Sequence, residues 1–522
     1  MTAEDFDVAI VGFGPTGAVA AALLGGYGIR TFVCDRSRDI YDKPRAFALD
    51  HEIMRVFQQL GLADAVLAHA EPFTPSEFYG VDGQLIKRFT SVEPPFPLGF
   101  PPSLVFSQPA VEAVLRAHVA GLASVRVALG EAVTGLVQDA AGATLSLRDD
   151  TGQRREVRAK YVIGCDGASS AVRDLAGIAL EDLGFDQPWL VVDVLANAQG
   201  LAKLPAVSLQ YCEPQRPTTY LVGPKNHRRW EMSLHDDEDP QQMATPEATW
   251  KLLARWITPQ DGQLWRQAAY RFHALVASRW CNGRVFVAGD AAHQQPPFLG
   301  QGMCQGIRDV ANLGWKLRDV LRGRAADALL DTYGAERKAH VTELTTRIKN
   351  IGQLVGQRDP DKARARDAQL LAECGGVVKS MPRQNVQPPL VAGLLADGGL
   401  RGHGAVGTIF PQPWMMQGGT RQRFDELAGR GWRLVLAPGA VMVTAPLGDA
   451  AQALDLSTVQ IDAPPWPETE GVAARWFDQQ ECVAALVRPD HYVFGVAAKM
   501  NDIALLLASA ARQLQPEAAL TA

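Results

Sequence analysis

"DVAIVGFGPTGAVAAALLGGYGIRTFVCDRS", residues 7–37, decides how the chain is read. It opens on a short, β-branched run, Asp7 to Val11, of the kind that forms a buried parallel strand. Gly12, Gly14 and Gly17 then make a GxGxxG, a small-residue helix continues from Ala18 to Leu24, and "RTFVCD" is a second strand ending in Asp35. Each glycine answers a physical need. Gly12 permits the tight turn, Gly14 lets the backbone approach a pyrophosphate, and Gly17 lets the helix pack closely on the strand, with the helix N-terminus facing the anion. A carboxylate at the end of the second strand can accept hydrogen bonds from an adenosine ribose. The unit binds a dinucleotide, and by itself it leaves NAD and FAD equally open.

The same stretch carries no charge from Val8 to Ile29, long enough to suggest a membrane span or a signal peptide. Acidic residues precede it where a signal peptide needs basic ones, and glycines interrupt it, so a strand, a turn and a buried helix are expected. A chain of 522 residues calls for two to four domains. Its 47% hydrophobic and 21% charged composition is globular. A net charge of −6 without a basic block argues against a nucleic-acid partner. The seven cysteines stand apart, with no CxxC and no metal-ligand spacing, so no metal is expected. Such scattered cysteines suit a reducing cytoplasm, and a soluble, cytoplasmic protein without membrane association is the expectation.

Two downstream segments decide between the dinucleotides. "KYVIGCDGASSAVRDLAGI" (160–178) reads as a strand, Asp166-Gly167, and a helix starting near Ser169 or Ser170. "NGRVFVAGDAAH" (282–293) reads as a strand that delivers Gly289 and Asp290 at its carboxyl end. Ligands of open α/β sheets gather at such ends, so Asp166 and Asp290 are expected in the crevice of Gly12 to Gly17, with Asp290 on the sugar-alcohol chain of a long cofactor. Pro296, Pro297, Gly300, Gln301 and Gly302 then lead into a helix with apolar or small residues at Met303, Ile307, Val310, Gly314, Leu317 and Leu321. A second helix N-terminus beside the far half of the cofactor would stabilise the negative charge of a reduced flavin. The glycine spacing from 300 to 306 is wrong for a second dinucleotide motif. FAD is the expected cofactor, and NADH or NADPH would bind only transiently.

At this point the chain resembles the class A FAD-dependent aromatic hydroxylases, and among them the 3-(3-hydroxyphenyl)propionate hydroxylase-like members. The likeness spans residues 5–345 and rests on GFGPTG at 12–17, CDG at 165–167 and GDAAHQQPPFLGQGM at 289–303, with "KPRAFALDHEIMRVFQQLG" (43–61) and "SQPAVEAVLRAHV" (107–119). The resemblance implies FAD contacts on the 12–17 turn, including Pro15 and Thr16, on Asp35 and Arg36, on Arg45, and on Gln108. It implies further contacts on Asp166, which also serves the nicotinamide, on Gly289 and Asp290, and on Pro297, Gly300, Gln301, Gly302 and Met303. Pro296, Pro297 and Gly300 are expected beside the reacting flavin.

The implied fold is α/β: a Rossmann-type FAD-binding domain (1–72, 101–180 and 280–345) with an inserted β-sheet substrate domain (73–100 and 181–279). A helical connection and linker (346–394) and a thioredoxin-like C-terminal domain (395–522) follow. Cys482 is the one cysteine of the 400s that such a domain would carry, so disulfide exchange is excluded, and a packing module or a homodimer contact is expected. The implied reaction is NAD(P)H- and O2-dependent hydroxylation of a phenolic ring through a flavin C4a-hydroperoxide, in aromatic catabolism. A polycyclic, polyketide-type substrate and a non-hydroxylating flavin reductase are the alternatives. A halogenase would need WxWxIP, which Trp256-Ile-Thr-Pro259 does not supply.

"WLVVDVLA", "AVSLQYCE", "TTYLVGP" and "RRWEMSLH", between 189 and 235, read as short strands over the flavin. Their Trp189, Tyr211, Tyr220 and Trp230 predict an aromatic-lined pocket with few charges. Tyr220, Arg228 and Trp230 are the expected substrate contacts, with Arg228 or Arg229 on a short acidic tail. His293 reads as a base or as a residue that caps the cofactor loop, and Asp50 as a flavin neighbour or a helix N-cap. No general base for a phenol stands out.

Overall fold

The computed structural model describes residues 4–397, 402–440, 448–464 and 466–515. The ends of the expected first and last domains, 1–3 and 516–522, lie outside them. Strand Glu4–Val11 pairs in parallel with Thr31–Asp35 on one side and Arg154–Gly164 on the other. Val125–Leu129 extends the sheet beyond Thr31–Asp35, and Val285–Val287 extends it beyond Arg154–Gly164, again in parallel. Four strands therefore deliver Gly12, Asp35, Asp166 and Asp290 to one edge. Val8, Ala9 and Ile10 have no exposure, as expected for a strand covered on both faces. Helix Pro15–Gly26 lies so close that a Cβ on Gly17 would sit 1.9 Å from the Gly12 carbonyl oxygen.

A second sheet of nine strands faces that edge. Its order runs His293–Gln294, Gly262–Ala277, Leu180–Ala196, His227–Ser233, Thr218–Val222, Ser208–Tyr211, Ser76–Tyr79, Leu85–Thr90 and Ser380–Pro382. The last of these corrects the expected linker. Ser380–Pro382 pairs in parallel with Leu85–Thr90, and a 3-10 turn, Arg383–Val386, carries the chain back over the parallel sheet's edge. The prolines there close an edge strand, where a missing N–H is tolerated, and do not mark a free linker.

Among the described residues the main sheet of the C-terminal unit has four strands, in the order Ser457–Gln460, Arg433–Leu436, Ala484–Val487, Val493–Ala497, beside a small hairpin of Trp414–Gln417 and Thr420–Arg423. The first pair is parallel and the other two antiparallel, with Ile503–Leu514 packed on one face and Val472–Gln479 on the other. That is the thioredoxin-like arrangement, and 485–496 forms its closing hairpin. Among the described residues no helix is long and apolar enough to cross a membrane, and no group of three His, Cys, Asp or Glu could hold a metal ion.

Candidate active site

A cavity of about 580 Å³ lies between the edge of the parallel sheet and the face of the nine-stranded one. Its nucleotide half is lined by Gly12, Gly14, Pro15, Thr16, Asp35, Arg36, Arg45, Gln108, Asp166 and Asp290. Helix Pro15–Gly26 begins with no side-chain cap and no acid in its first turn, so its leading N–H groups are left for an anion. A Cβ on Gly14 would meet nothing within 4 Å, which leaves the backbone open to a ligand. Asp35 shapes the turn by accepting from the Phe13 N–H at 2.6 Å and the Ser37 N–H at 2.7 Å. Gln108 Oε1 accepts from the N–H groups of Arg45 (3.0 Å) and Ala46 (2.6 Å), which fixes the loop that carries Arg45. Asp166 accepts from Ser170 Oγ at 2.5 Å and from the Val172 N–H at 3.1 Å, and burial nevertheless raises its carboxyl.

Asp290 is different. Its side chain is exposed where it lines the cavity, and desolvation by the cavity walls raises its carboxyl. Among the described residues it has no hydrogen bond and no ion pair. Across the cavity, helix Gly302–Leu321 also starts without a side-chain cap or an acid, and Pro297, Gly300, Gly302 and Met303 line the wall there. Two bare helix N-termini, an open glycine turn and a partnerless carboxylate between them fit FAD: anionic groups at the helices, sugar hydroxyls at Asp290.

Four residues expected at the cofactor stand off the cavity. Gly17 is consumed by helix-to-strand contact. Gly289 turns with φ +62° against Thr16. Gln301 is buried, its Oε1 accepting from Arg308 and Gln387. Pro297 lines the wall and Pro296 does not. His293 is structural: its Nε2 lies 2.8 Å from Asp309 and its ring stacks on Trp280. Asp50 caps helix His51–Gln59 through the Ile53 N–H and pairs with Arg308.

The sheet half of the cavity overturns the expected substrate contacts. On Thr218–Val222 and His227–Ser233 the residues facing the cavity are Thr219, Leu221, Arg229 and Glu231. Tyr220 and Trp230 point to the opposite face, where their rings meet at 5.2 Å and the Tyr220 hydroxyl donates to the Pro205 carbonyl. Arg228 turns outward to the carbonyls of Lys225 and His227. Side chains alternate along a strand, so one residue of register separates the two readings.

Nor is this half poor in charge. Asp193, with no exposure, receives His227 Nε2 at 2.7 Å and Arg229 Nε at 2.7 Å. Against the desolvation that would raise it, Arg229 and His227 hold the Asp193 carboxyl below its usual range, while burial pulls His227 down. Arg229 also donates to the carbonyls of Arg45 (3.0 Å) and Pro44 (2.9 Å), and Arg266 donates to Pro44 and to the Tyr270 hydroxyl. The sheet thus grips the loop that presents Arg45. Glu231 is buried, its Oε2 has no hydrogen-bond partner, and burial pushes it up to about 7. Asp193, Glu231, Arg266 and Arg383 escaped the sequence reading. A lone acid inside "WLVVDVLA" was the available signal for the first.

Comparison with known proteins agrees with this geometry. A family model described as FAD binding domain matches residues 5–348, and one described as HcaD C-terminal domain matches residues 407–512. The chain is 37% identical over 508 residues to a probable NADH-specific resorcinol 4-hydroxylase of Rhodococcus jostii (strain RHA1), covering 95% of this chain and 93% of that one. It is 33% identical over 513 residues to a 3-(3-hydroxy-phenyl)propionate/3-hydroxycinnamic acid hydroxylase of Burkholderia vietnamiensis (strain G4 / LMG 22486), covering 93% and 92%. Its fold matches the crystal structure of the flavin-dependent monooxygenase PieE in complex with FAD and substrate, with a TM-score of 0.81, 24% identity and coverage of 98% and 99%. Paired cofactor cradles, a facing sheet and relatives that span nearly the whole chain lead to one conclusion: the chain belongs to the class A FAD-dependent aromatic hydroxylases.

Proposed function

We propose that this enzyme hydroxylates a monocyclic phenol with NADH and O2. The carrying observation is continuity: the cradle ending at Asp290 opens directly onto a chamber walled by Phe272, Phe298 and the Thr219–Glu231 face. Bound FAD, reduced by the nicotinamide, supplies an oxygen electrophile to an electron-rich ring. The protein's part is to hold and to exclude water. Asp290 and the two helix N-termini hold the cofactor, and Arg229 and Arg266 fix the Arg45 loop against it. Phe298 packs edge-on to Trp189 at 5.3 Å and to Phe185 at 5.9 Å, which makes the wall beside Pro297 apolar and dry. Relatives named for resorcinol and for 3-(3-hydroxyphenyl)propionate, both monocyclic phenols, support this substrate class, and the first is named NADH-specific. All seven cysteines are unpaired, which supports the cytoplasmic reading, and a homodimer is the proposed assembly. Turnover of resorcinol under oxygen-18 gas should place one labelled atom in a new hydroxyl. Label taken from water, or turnover without oxygen, would exclude the reaction.

A further inference from the structure

We infer that Arg383 recognises a carboxylate on the substrate, so that the enzyme's preferred phenol is an aromatic acid. This rests on the hydroxylase reading above and narrows it. Arg383 follows the edge strand Ser380–Pro382, beyond the part of the chain that matches the FAD-domain model, and it lines the cavity. One of its N–H groups donates to the Leu299 carbonyl, and its guanidinium lies 4.2 Å from the centre of the Phe73 ring. Among the described residues its remaining donors have no partner, and no carboxylate lies within ion-pair distance of it. Burial lowers its pKa to about 10, which leaves it charged at neutral pH.

Half-buried on the cavity wall, this cation is only partly solvated and has no counter-charge, and an incoming anion offsets that cost. The surroundings do not supply the anion. Asp193 is already engaged by Arg229 and His227, and Arg266 stands 3.7 Å from it. Glu231, pushed up to about 7, is only partly ionised at neutral pH. Three guanidinium groups therefore face one committed carboxylate and one half-neutral carboxyl, and the chamber carries an excess of positive charge. The fork is also held in place. Gln384 donates to Ser103 Oγ at 3.0 Å and Gln387 to Gln301 Oε1 at 2.7 Å, so the turn is pinned at two points behind the cavity wall. A fixed, planar guanidinium suits two parallel hydrogen bonds to a carboxylate, and the Phe73 and Leu299 neighbours suit an attached apolar stem. The phosphates of the nucleotide have their own place at the Pro15–Gly26 N-terminus.

The test compares 3-(3-hydroxyphenyl)propionate with its uncharged amide on the FAD-loaded enzyme. Binding is read by perturbation of the flavin absorbance, and turnover is read separately. The wild type should bind the acid at least tenfold more tightly than the amide. Arg383→Met should shrink that preference to about one, and Arg383→Lys, the milder variant should the first lose its fold, should keep part of it. A wild type that binds acid and amide alike, or a preference unchanged in both variants, overturns the inference. So does a variant whose defect lies in the KM for NADH and is the same with either ligand. If the acid binds with the expected preference but no phenol gains labelled oxygen, the hydroxylase reading fails while the carboxylate site stands.

Discussion

Arg488, on the closing hairpin of the C-terminal unit, holds Glu336 of helix Asp331–Val355 through Nη1–Oε1 at 3.0 Å and Nη2–Oε2 at 2.8 Å, with both side chains wholly buried. Lys316 reaches the same carboxylate at 2.8 Å, and Asp490 closes the group from the far side of Arg488. A second buried link, Arg55 to Asp425, joins the two units elsewhere. The C-terminal unit is therefore the electrostatic counterpart of the FAD-binding core.

Removing one partner of such a pair leaves a buried charge exposed to nothing. Glu336→Gln should cost about 3–5 kcal/mol of stability, measured by denaturant unfolding. The pH dependence follows from the sign. Desolvation would raise Glu336, but Arg488 and Lys316 hold it down to about 2, below its unfolded value. Its contribution is therefore present above the unfolded carboxylate pKa, near about 4.3, and fades as pH falls toward 2. The gap between wild type and variant should close on acidification. A constant gap from pH 7 to pH 3 would contradict this.

Asp193 makes a related prediction for the site itself. Its carboxylate orients Arg229, which grips the carbonyls of Pro44 and Arg45. Asp193→Asn should loosen that loop and weaken FAD retention roughly 10–100-fold, the range seen when an orienting partner is lost, read as flavin released on dialysis. Asp193→Asn with unchanged flavin affinity would remove the grip from the account.

The first βαβ unit was legible because its turn admits few residues: Gly12 sits at φ +98°, and a Cβ there would strike the Cys165 carbonyl at 2.3 Å. The alternation of His227–Ser233 was legible too, but its facing was not. Trp230 reads as pocket lining, yet it packs with Met232, Leu253 and Ile257 in a separate core, and the polar face of Arg229 and Glu231 is the one turned to the cavity. A strand covered on both sides gives no local cue to which cover is protein and which is ligand. Arg383 was hidden for another reason. Its proline-rich surroundings read as a linker, and only a pairing across nearly three hundred residues of sequence, Ser380 with Arg88, draws it to the site.

That facing can be tested on adjacent residues. Trp230→Phe should lower stability by about 1–3 kcal/mol and leave phenol binding as it was. Glu231→Gln should act on the chamber and on pH. Burial raises Glu231 to about 7, so the folded state keeps a proton that the unfolded chain loses near about 4.3. Stability is full below that value and declines as pH rises through 7, by no more than about 4 kcal/mol. The glutamine variant cannot lose that proton, so its melting temperature should fall less than the wild type's between pH 6 and pH 8. Parallel pH profiles for the two proteins would mean that Glu231 is ionised throughout.

Asp290 gives the sharpest reading of the cofactor site. It faces the cavity at the end of Val285–Val287, between two uncapped helix N-termini, and no side chain of the described protein satisfies it. It is exposed to the cavity and makes no hydrogen bond or ion pair among the described residues, so the fold gains nothing from the charge in the absence of a ligand. Asp290→Ala should therefore leave the apoprotein as stable as the wild type, or slightly more so. The same change should cost about 1.5–3 kcal/mol of FAD binding, the worth of hydrogen bonds to a charged group, or roughly 10–150-fold in affinity. Two measurements separate these effects: thermal unfolding of the stripped proteins, and titration of each with FAD. A variant that binds FAD normally but unfolds early would make Asp290 a structural residue and move the sugar contact elsewhere in the cavity.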